Sequence, residues 1–238
     1  MNNYVLVTSA IYTKHGIYSA EERIDQTANT FDSVRKYIPN SKIILIDNSR
    51  IQSNKNIDAL LSKIDYFIDN SEDSDIKYFH DSINDYDMAK NGMECIGMKS
   101  ALMGIYNNPS LYNEILDGNR VFKISGRYEV SENFNIKNHS HRNKFVFKKR
   151  NSSWINPEWT GVDSEISTRL WSFCPSLFCE TILIFDKILS NMILTFNKNQ
   201  YIDIEHSMAK FIPISRLMEV DVVVVKGNLA PNGAYVSE

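Results

Sequence analysis

RVFKISGRYEVSE, residues Arg120–Glu132, is the stretch from which the fold can be read. Val121, Phe122 and Ile124 form a short apolar, β-prone run that stops at Ser125-Gly126, with Arg127 and Tyr128 following. The run predicts a buried interior strand that delivers a glycine, a cation and an aromatic ring to the carboxyl edge of a sheet, where open α/β sheets place their ligands. Glycine lets a ligand approach the backbone closely, and arginine forks onto a phosphate or carboxylate. A strand that ends in a plain turn, with Arg127 on the surface, accounts for the same residues.

Upstream, Tyr4–Ile11 reads as a buried first strand ending in the small hydroxyl residues Thr8 and Ser9. Ser19-Ala20-Glu21-Glu22 is a capping box. The helix it opens carries Ile24, Ala28, Phe31, Val34 and Ile38 on one stripe, holds Arg23 and Gln26 in its first turns, and stops at Pro39-Asn40. Lys42–Ile46 is a second apolar strand, followed by Asp47-Asn48-Ser49. Asp47 is either an acceptor for a base or ribose hydroxyl or the start of an Asx turn. A short helix over Asn56–Ile64 and a third strand over Tyr66–Ile68 complete a β-α-β-α-β rhythm, which argues for a parallel sheet with helices on both faces.

Asn70–Tyr86 is polar and acid-rich and reads as a solvated loop. Its Asp73-Ser74-Asp75 and Asp85-Tyr86-Asp87 carry the D-x-D spacing used for divalent cations. A long helix follows, from about Asp85 to Tyr106. Near its start, Lys90 and Glu94 form a surface pair one turn apart, or else Lys90 and the amide-rich helix start face a bound anion. Gly92 costs the helix about 1 kcal/mol relative to alanine, which invites a reason such as close approach by a ligand.

Beyond Arg127, Asn138–His141 is a polar turn and Phe145–Phe147 a strand. The basic alternation of Lys144–Arg150 reads as an edge guarded by lysines. Trp154–Gly161 is an aromatic loop of the kind that lines a carbohydrate subsite or packs on the domain. Leu170–Leu177 and Thr181–Phe185 are apolar, the second starting a helix that runs to about Leu194. Gln200–Ile212 has a helical stripe of Ile204, Met208, Phe211 and Ile212. Asp203 and Glu205 in its first turn suit the helix dipole, while Glu205 beside His206 is also a candidate general base and its neighbour. Leu217–Val225 is a last strand, and Asn228 and Asn232-Gly233 mark turns.

The chain has 238 residues, 43% hydrophobic and 23% charged, with a net charge of −3. That balance gives no general electrostatic reason to expect nucleic acid or an anionic membrane as a partner. Cys95, Cys174 and Cys179 are odd in number and lack metal-like spacing, which predicts reduced thiols. With no signal-peptide pattern at the N-terminus and no apolar run near the ~20 residues of a membrane span, the expected location is the cytoplasm.

Taken in order, Val5–Ala10 (VLVTSA), Arg23–Pro39 (RIDQTANTFDSVRKYIP), Lys42–Ser49 (KIILIDNS), Lys90–Leu102 (KNGMECIGMKSAL), Phe122–Val130 (FKISGRYEV) and Ile202–Ile212 (IDIEHSMAKFI) resemble the GT-A glycosyltransferases, in particular small viral and bacterial members. The resemblance implies an α/β fold, a Rossmann-like single domain with a mostly parallel central sheet flanked by helices. A nucleotide-sugar half would span about residues 1–130 and an acceptor half about 131–238. It implies a nucleotide-sugar donor as co-substrate and a glycan or glycoconjugate acceptor. Thr8, Arg23 and Asp47 would lie near base and ribose, and Lys90, Asn91, Gly92 and Glu94 in the helix segment beside the donor.

The family's D-x-D closes the strand that here ends Ser125, Gly126, Arg127, Tyr128. No acid stands there, so the resemblance assigns no metal ligand at this strand end and casts Arg127 as a phosphate clamp in place of Mn²⁺ or Mg²⁺. An ion on Asp73, Asp75, Asp85 or Asp87 is the alternative. Glu205 matches the acid that deprotonates the acceptor in many inverting members. A sugar nucleotidyltransferase, or a binding domain that has lost its chemistry, are the other readings. Thr8–Ser19 offers the first of these only Lys14 and Gly16 in place of a glycine-rich basic signature.

Overall fold

Tyr4 and Leu6 point to one side of the first strand, Val5 and Val7 to the other, and all four are buried. A strand apolar on both faces must sit between two layers. The computed structural model describes residues 1–13, 16–221, 225–229 and 232–237 and places that strand inside a seven-stranded sheet.

The elements are β1 (Asn3–Ser9), α1 (Ala20–Tyr37), β2 (Ser41–Asp47), α2 (Lys55–Leu61), β3 (Tyr66–Asp69), α3 (Ser74–Ser82), α4 (Tyr86–Tyr106), α5 (Pro109–Leu116), β4 (Arg120–Ser125) and β5 (Tyr128–Val130). The second half adds β6 (Phe145–Lys148), β7 (Asn151–Ser152), α6 (Pro157–Thr160), β8 (Ser164–Glu165), β9 (Leu170–Phe173), α7 (Phe178–Phe196), α8 (Ile204–Phe211), β10 (Leu217–Val220), β11 (Val225–Asn228) and β12 (Tyr235–Ser237). The central order is β10-β6-β9-β4-β1-β2-β3, and every strand runs the same way except β9. Helices α4, α5, α7 and α8 cover one face. On the other lie α1, α2 and a three-stranded sheet, β12-β11-β5. Among the described residues no helix is long and apolar enough to cross a membrane.

Chain direction fixes where a ligand can enter. From β1 the chain steps outward through β2 to β3, then returns to lay β4 on the opposite side of β1. The two connections diverge between β1 and β4 and open a crevice at the strands' carboxyl ends, the place where doubly wound sheets bind ligands. β4 is interior, as the Arg120–Glu132 stretch predicts.

Local signals set several boundaries. Ser19 and Glu22 form the reciprocal capping box of α1, and Asp203 caps α8 by accepting the His206 N–H. Four expectations change. The acid-rich segment is a helix: Asp73 caps α3 through Asp75 and Ile76 N–H, and Asp85 caps α4 through Met88 N–H. β6 is interior, because β10 adds outside it and Arg150 pairs with Glu219 of that strand. The last strand is two elements in different sheets, β10 and β11, with 222–224 outside the described residues, as is Lys14. In the Trp154–Gly161 segment the buried anchor is Ile155, while Trp154 and Trp159 are exposed.

Gly92 has a packing reason. A Cβ there would fall inside van der Waals contact of the Phe79 ring, which belongs with Ile76 and Ile96 to the small core joining α3 and α4. Overpacking typically costs 1–3 kcal/mol against the roughly 1 kcal/mol of helix propensity that alanine returns. Gly92→Ala is expected to lower the midpoint of urea unfolding. A raised midpoint would mean that Phe79 swings away freely.

Candidate active site

β1 and β4 end in register, Thr8 beside Ser125. Gly126 continues the pairing: its N–H donates to Thr8 O at 2.8 Å and its carbonyl accepts from Thr27 Oγ1 at 3.2 Å. A Cβ on Gly126 would stand 3.2 Å from both Thr8 O and Thr27 Oγ1, so this glycine lets β4 turn tightly between β1 and α1. The turn then presents Arg127 to a cleft of about 120 Å³, open to solvent.

Three cations, Arg23, Lys90 and Arg127, line this cleft with Thr8, Ser125 and Gly126. Arg23 is buried on α1 and donates to Tyr18 O and Ala10 O, at 3.3 and 3.4 Å. Burial, then the neighbouring Arg127, push its pKa down. Arg127 packs its guanidinium 5.9 Å from the Tyr128 ring, and its Nε is buried without a hydrogen-bond partner among the described residues. Burial opposes the charge on Lys90, but Glu205 and Glu94 outweigh it and raise the pKa.

Beneath the floor lies Lys123, 1% exposed. Its ammonium donates to Glu94 Oε1 at 2.7 Å, Ser125 Oγ at 2.9 Å and Thr168 O at 3.1 Å. Thr168 Oγ1 in turn donates to Glu205 Oε1 at 2.7 Å. Burial would raise the pKa of Glu94, but Lys123, Lys90 and Arg127 draw it below the usual range. Burial, then Asp203, raise that of Glu205. A raised pKa makes the carboxylate a stronger proton acceptor.

The site residues expected from sequence divide into two groups. Thr8, Arg23, Lys90, Glu94, Ser125, Gly126 and Arg127 meet in the cleft. Glu94 pairs with Lys123 rather than with Lys90. Glu205 stands behind the cleft, joined to it through Thr168 and through the field at Lys90.

Other expected residues face elsewhere. Asp47 is sealed in the core, accepting from Ile11 N, Ser49 N and Ser49 Oγ, so it latches the ends of β1 and β2 instead of reaching a ribose. Asn91 ties α4 to α8 through Tyr201 OH, at 2.8 Å, and Ile204 N, at 3.2 Å. Tyr128 packs in the opposite core layer. His206 is fully buried, with Nδ1 2.6 Å from Asp203 Oδ1 and Nε2 2.8 Å from Ser153 Oγ. Burial would lower its pKa, but Asp203, then Glu165 and Glu205, raise it.

Lys123, Thr168, Asn48 and Ser49 were not singled out in the sequence. The signal for Lys123 was present: a lysine inside a strand buried on both faces must have a partner.

The donor set at the end of β4 does not fit a divalent cation. Arg127, Lys90 and Arg23 face the cleft, and its carboxylate, Glu94, is bound to Lys123. Asp73 and Asp85 are spent as helix caps. Among the described residues, Glu165, Asp203 and His206 bring metal-type donors within 4.8 Å of one another, but both ring nitrogens of that histidine are hydrogen-bonded.

The chain shares its architecture with the galactosyltransferase LgtC, solved in complex with donor and acceptor sugar analogues: TM-score 0.53 and 10% identity over 92% of this chain and 73% of that one. The fold is that of the GT-A glycosyltransferases. An active-site mutant of LgtC aligns equally well, with 12% identity over 92% and 72% of the chains. The bifunctional glycosyltransferase WbbM aligns with TM-score 0.53 and 11% identity over 92% of this chain and 38% of its own. No family model and no curated protein matches the sequence.

Removing Lys123 takes from Glu94 its hydrogen-bonded partner and leaves only the more distant support of Lys90 and Arg127, a loss of up to about 3–5 kcal/mol. Lys123→Met is expected to unfold at correspondingly lower urea concentration, and pairing it with Glu94→Gln should restore part of the loss. The folded pKa of Glu94 is depressed, so its contribution is present above the unfolded value of roughly 4.3 and is lost as pH falls through the folded one. The stability difference between wild type and Glu94→Gln should therefore shrink on acidification below that value.

Proposed function

We propose that the protein is a nucleotide-sugar glycosyltransferase of the cytoplasm, a single domain whose first 130 residues or so hold the donor and the remainder the acceptor. The observation that carries this reading is the cluster of Arg23, Lys90 and Arg127 around the crevice between β1 and β4, in a fold shared with LgtC. A nucleoside diphosphate brings two to three negative charges. Planar guanidinium can hold two phosphate oxygens at once, and here it meets them without a metal between.

The chemistry asks for a cationic clamp on one side of the anomeric carbon and a proton acceptor on the other. Arg127 and Lys90 face the departing diphosphate. The acceptor oxygen bonds to the anomeric carbon, the bond from that carbon to the diphosphate oxygen breaks with its electron pair leaving on the diphosphate, and the acceptor proton passes to Glu205. The raised pKa of Glu205 suits that role. Lys123 acts as a positioning residue, fixing Glu94 and Ser125 directly and Glu205 through Thr168.

UDP, GDP, CDP and dTDP, tested one at a time, should include one that raises the melting temperature. Binding to the native state alone contributes about 2.7 kcal/mol at 100 times Kd. Arg127→Lys should abolish most of that shift while folding normally, and EDTA should leave donor hydrolysis unchanged. No shift with any of the four would remove the donor site, and activity lost in EDTA and restored by Mn²⁺ would remove the metal-free clamp.

Glu205→Gln should retain the nucleotide-induced shift and transfer sugar 10²–10⁴-fold more slowly, the usual loss for a general base. Near-normal turnover would return Glu205 to a structural place in the first turn of α8.

A further inference from the structure

Trp154 is 68% exposed, yet its ring is held on three sides. Glu165 stands opposite Asn151 across the β7–β8 pair, and both the Trp154 and Asn151 side chains approach its carboxylate closely enough to work against the burial that raises its pKa. One edge meets the His206 ring at 6.1 Å in a T-shaped contact, and Tyr201 lies 6.2 Å away, tilted by 45°. The backbone on either side is fixed too: Ser153 N–H donates to Asp163 O at 2.8 Å, Ser153 Oγ donates to Ile155 O at 2.6 Å, and Ile155 is buried. Tyr201 is in turn stacked on Phe196 and bonded to Asn91. A large apolar ring left in water forgoes the stabilisation that burial would give it. This one keeps an open face while its other sides meet the His206 and Tyr201 rings.

Its surroundings select the ligand class. Beside the open indole, β7 and β8 place Asn151 opposite Glu165, two side chains with hydrogen-bonding groups to offer. A pyranose has the matching form, with C–H bonds across one face and hydroxyls around the rim. The position relative to the cleft is set by α8. Its residues 205 and 206 point apart: Glu205 turns towards Thr168 and Lys90, and His206 towards Trp154. On the other side, Trp154 touches Tyr201, Tyr201 bonds Asn91, and the preceding residue, Lys90, lines the cleft.

We infer that Trp154 is a saccharide-stacking platform, with Glu165 and Asn151 taking the sugar's hydroxyls, and that it holds the acceptor glycan beside Glu205. The name acceptor rests on the glycosyltransferase reading; the platform itself does not.

The test is a glycan array of neutral and acidic oligosaccharides, probed with the full-length wild type, Trp154→Ala and Trp154→Phe, with and without a saturating nucleoside diphosphate. Urea midpoints serve as the folding control. The expected result is a set of saccharides retained by wild type, weakened at least tenfold by Trp154→Ala and partly kept by Trp154→Phe. With a retained saccharide as acceptor, Trp154→Ala should raise the acceptor KM at least tenfold and leave the donor KM and donor hydrolysis unchanged. Wild-type protein that binds no saccharide, or binding indifferent to Trp154→Ala, would overturn the platform. Trp154-dependent saccharide binding with no thermal response to any nucleoside diphosphate would instead remove the donor reading and leave the platform standing. A nucleotide response with no saccharide on Trp154 would do the reverse.

Discussion

Lys123 lies two residues before Ser125, the first residue of its strand to line the cleft, on the middle strand of the sheet, with Leu6 and Trp171 as its neighbours in register. Moving an ammonium out of water costs several kcal/mol unless its partners are close and well placed. Three oxygens meet that need, and each belongs to a different element: Glu94 on α4, Ser125 at the end of β4, and Thr168 in the segment before β9. The requirement therefore works in both directions. The ammonium is tolerated only if α4 and the segment before β9 close over β4, and their closing is what forms the cleft wall. Glu205 joins the same network through the Thr168 hydroxyl, so a residue some eighty positions away is positioned by the need to satisfy one buried charge.

The second organising feature is the start of α8. Successive helix residues point about 100° apart, which sends Glu205 and His206 in different directions from adjacent positions. One meets Thr168; the other is enclosed between Asp203 and Ser153. The histidine thereby pins the β7-to-α6 connection, which carries Trp154, to the helix that carries Glu205. An exposed ring and a half-buried carboxyl are held in fixed relation by a side chain that meets neither the cleft nor solvent.

The elements that could be read from sequence were those with local signals. A capping box and an apolar stripe marked α1, short apolar runs marked β1, β2 and β4, and length marked α4. The α5 helix carries only a short signal, Asn108 followed by Pro109 as cap and first-turn pair. The α3 helix was hidden by the density of acids, any of which could cap it. β6 looked like an edge because lysines flank it, and only the pairing of β10, more than sixty residues later, makes it interior. The same division holds in the cleft. Residues at strand ends, such as Thr8, Ser125 and Arg127, could be located from topology alone. Asp47, Asn91 and Gly92 could not, because their partners are Ile11 and Ser49, Tyr201 and Ile204, and Phe79, contacts fixed only by the folded chain.

The charges around the cleft are not balanced evenly. Lys90 is supported by Glu205 and Glu94, which keep it protonated despite burial. At Arg23 the balance is reversed: burial and then Arg127 act against its charge and outweigh the support of Tyr86, Asp47 and Tyr18. Two guanidinium groups line the cleft near enough for Arg127 to lower the pKa of Arg23, and Arg127 has a buried Nε that no group among the described residues satisfies. Like charges at close range destabilise the fold that brings them together, and an unsatisfied buried donor adds to that cost. A divalent cation entering there would add to the repulsion, whereas a diphosphate would offset it and supply the missing acceptor. In the proposed enzyme a diphosphate bound there would gain affinity from the positive charge it neutralises and from the Arg127 Nε donor it satisfies.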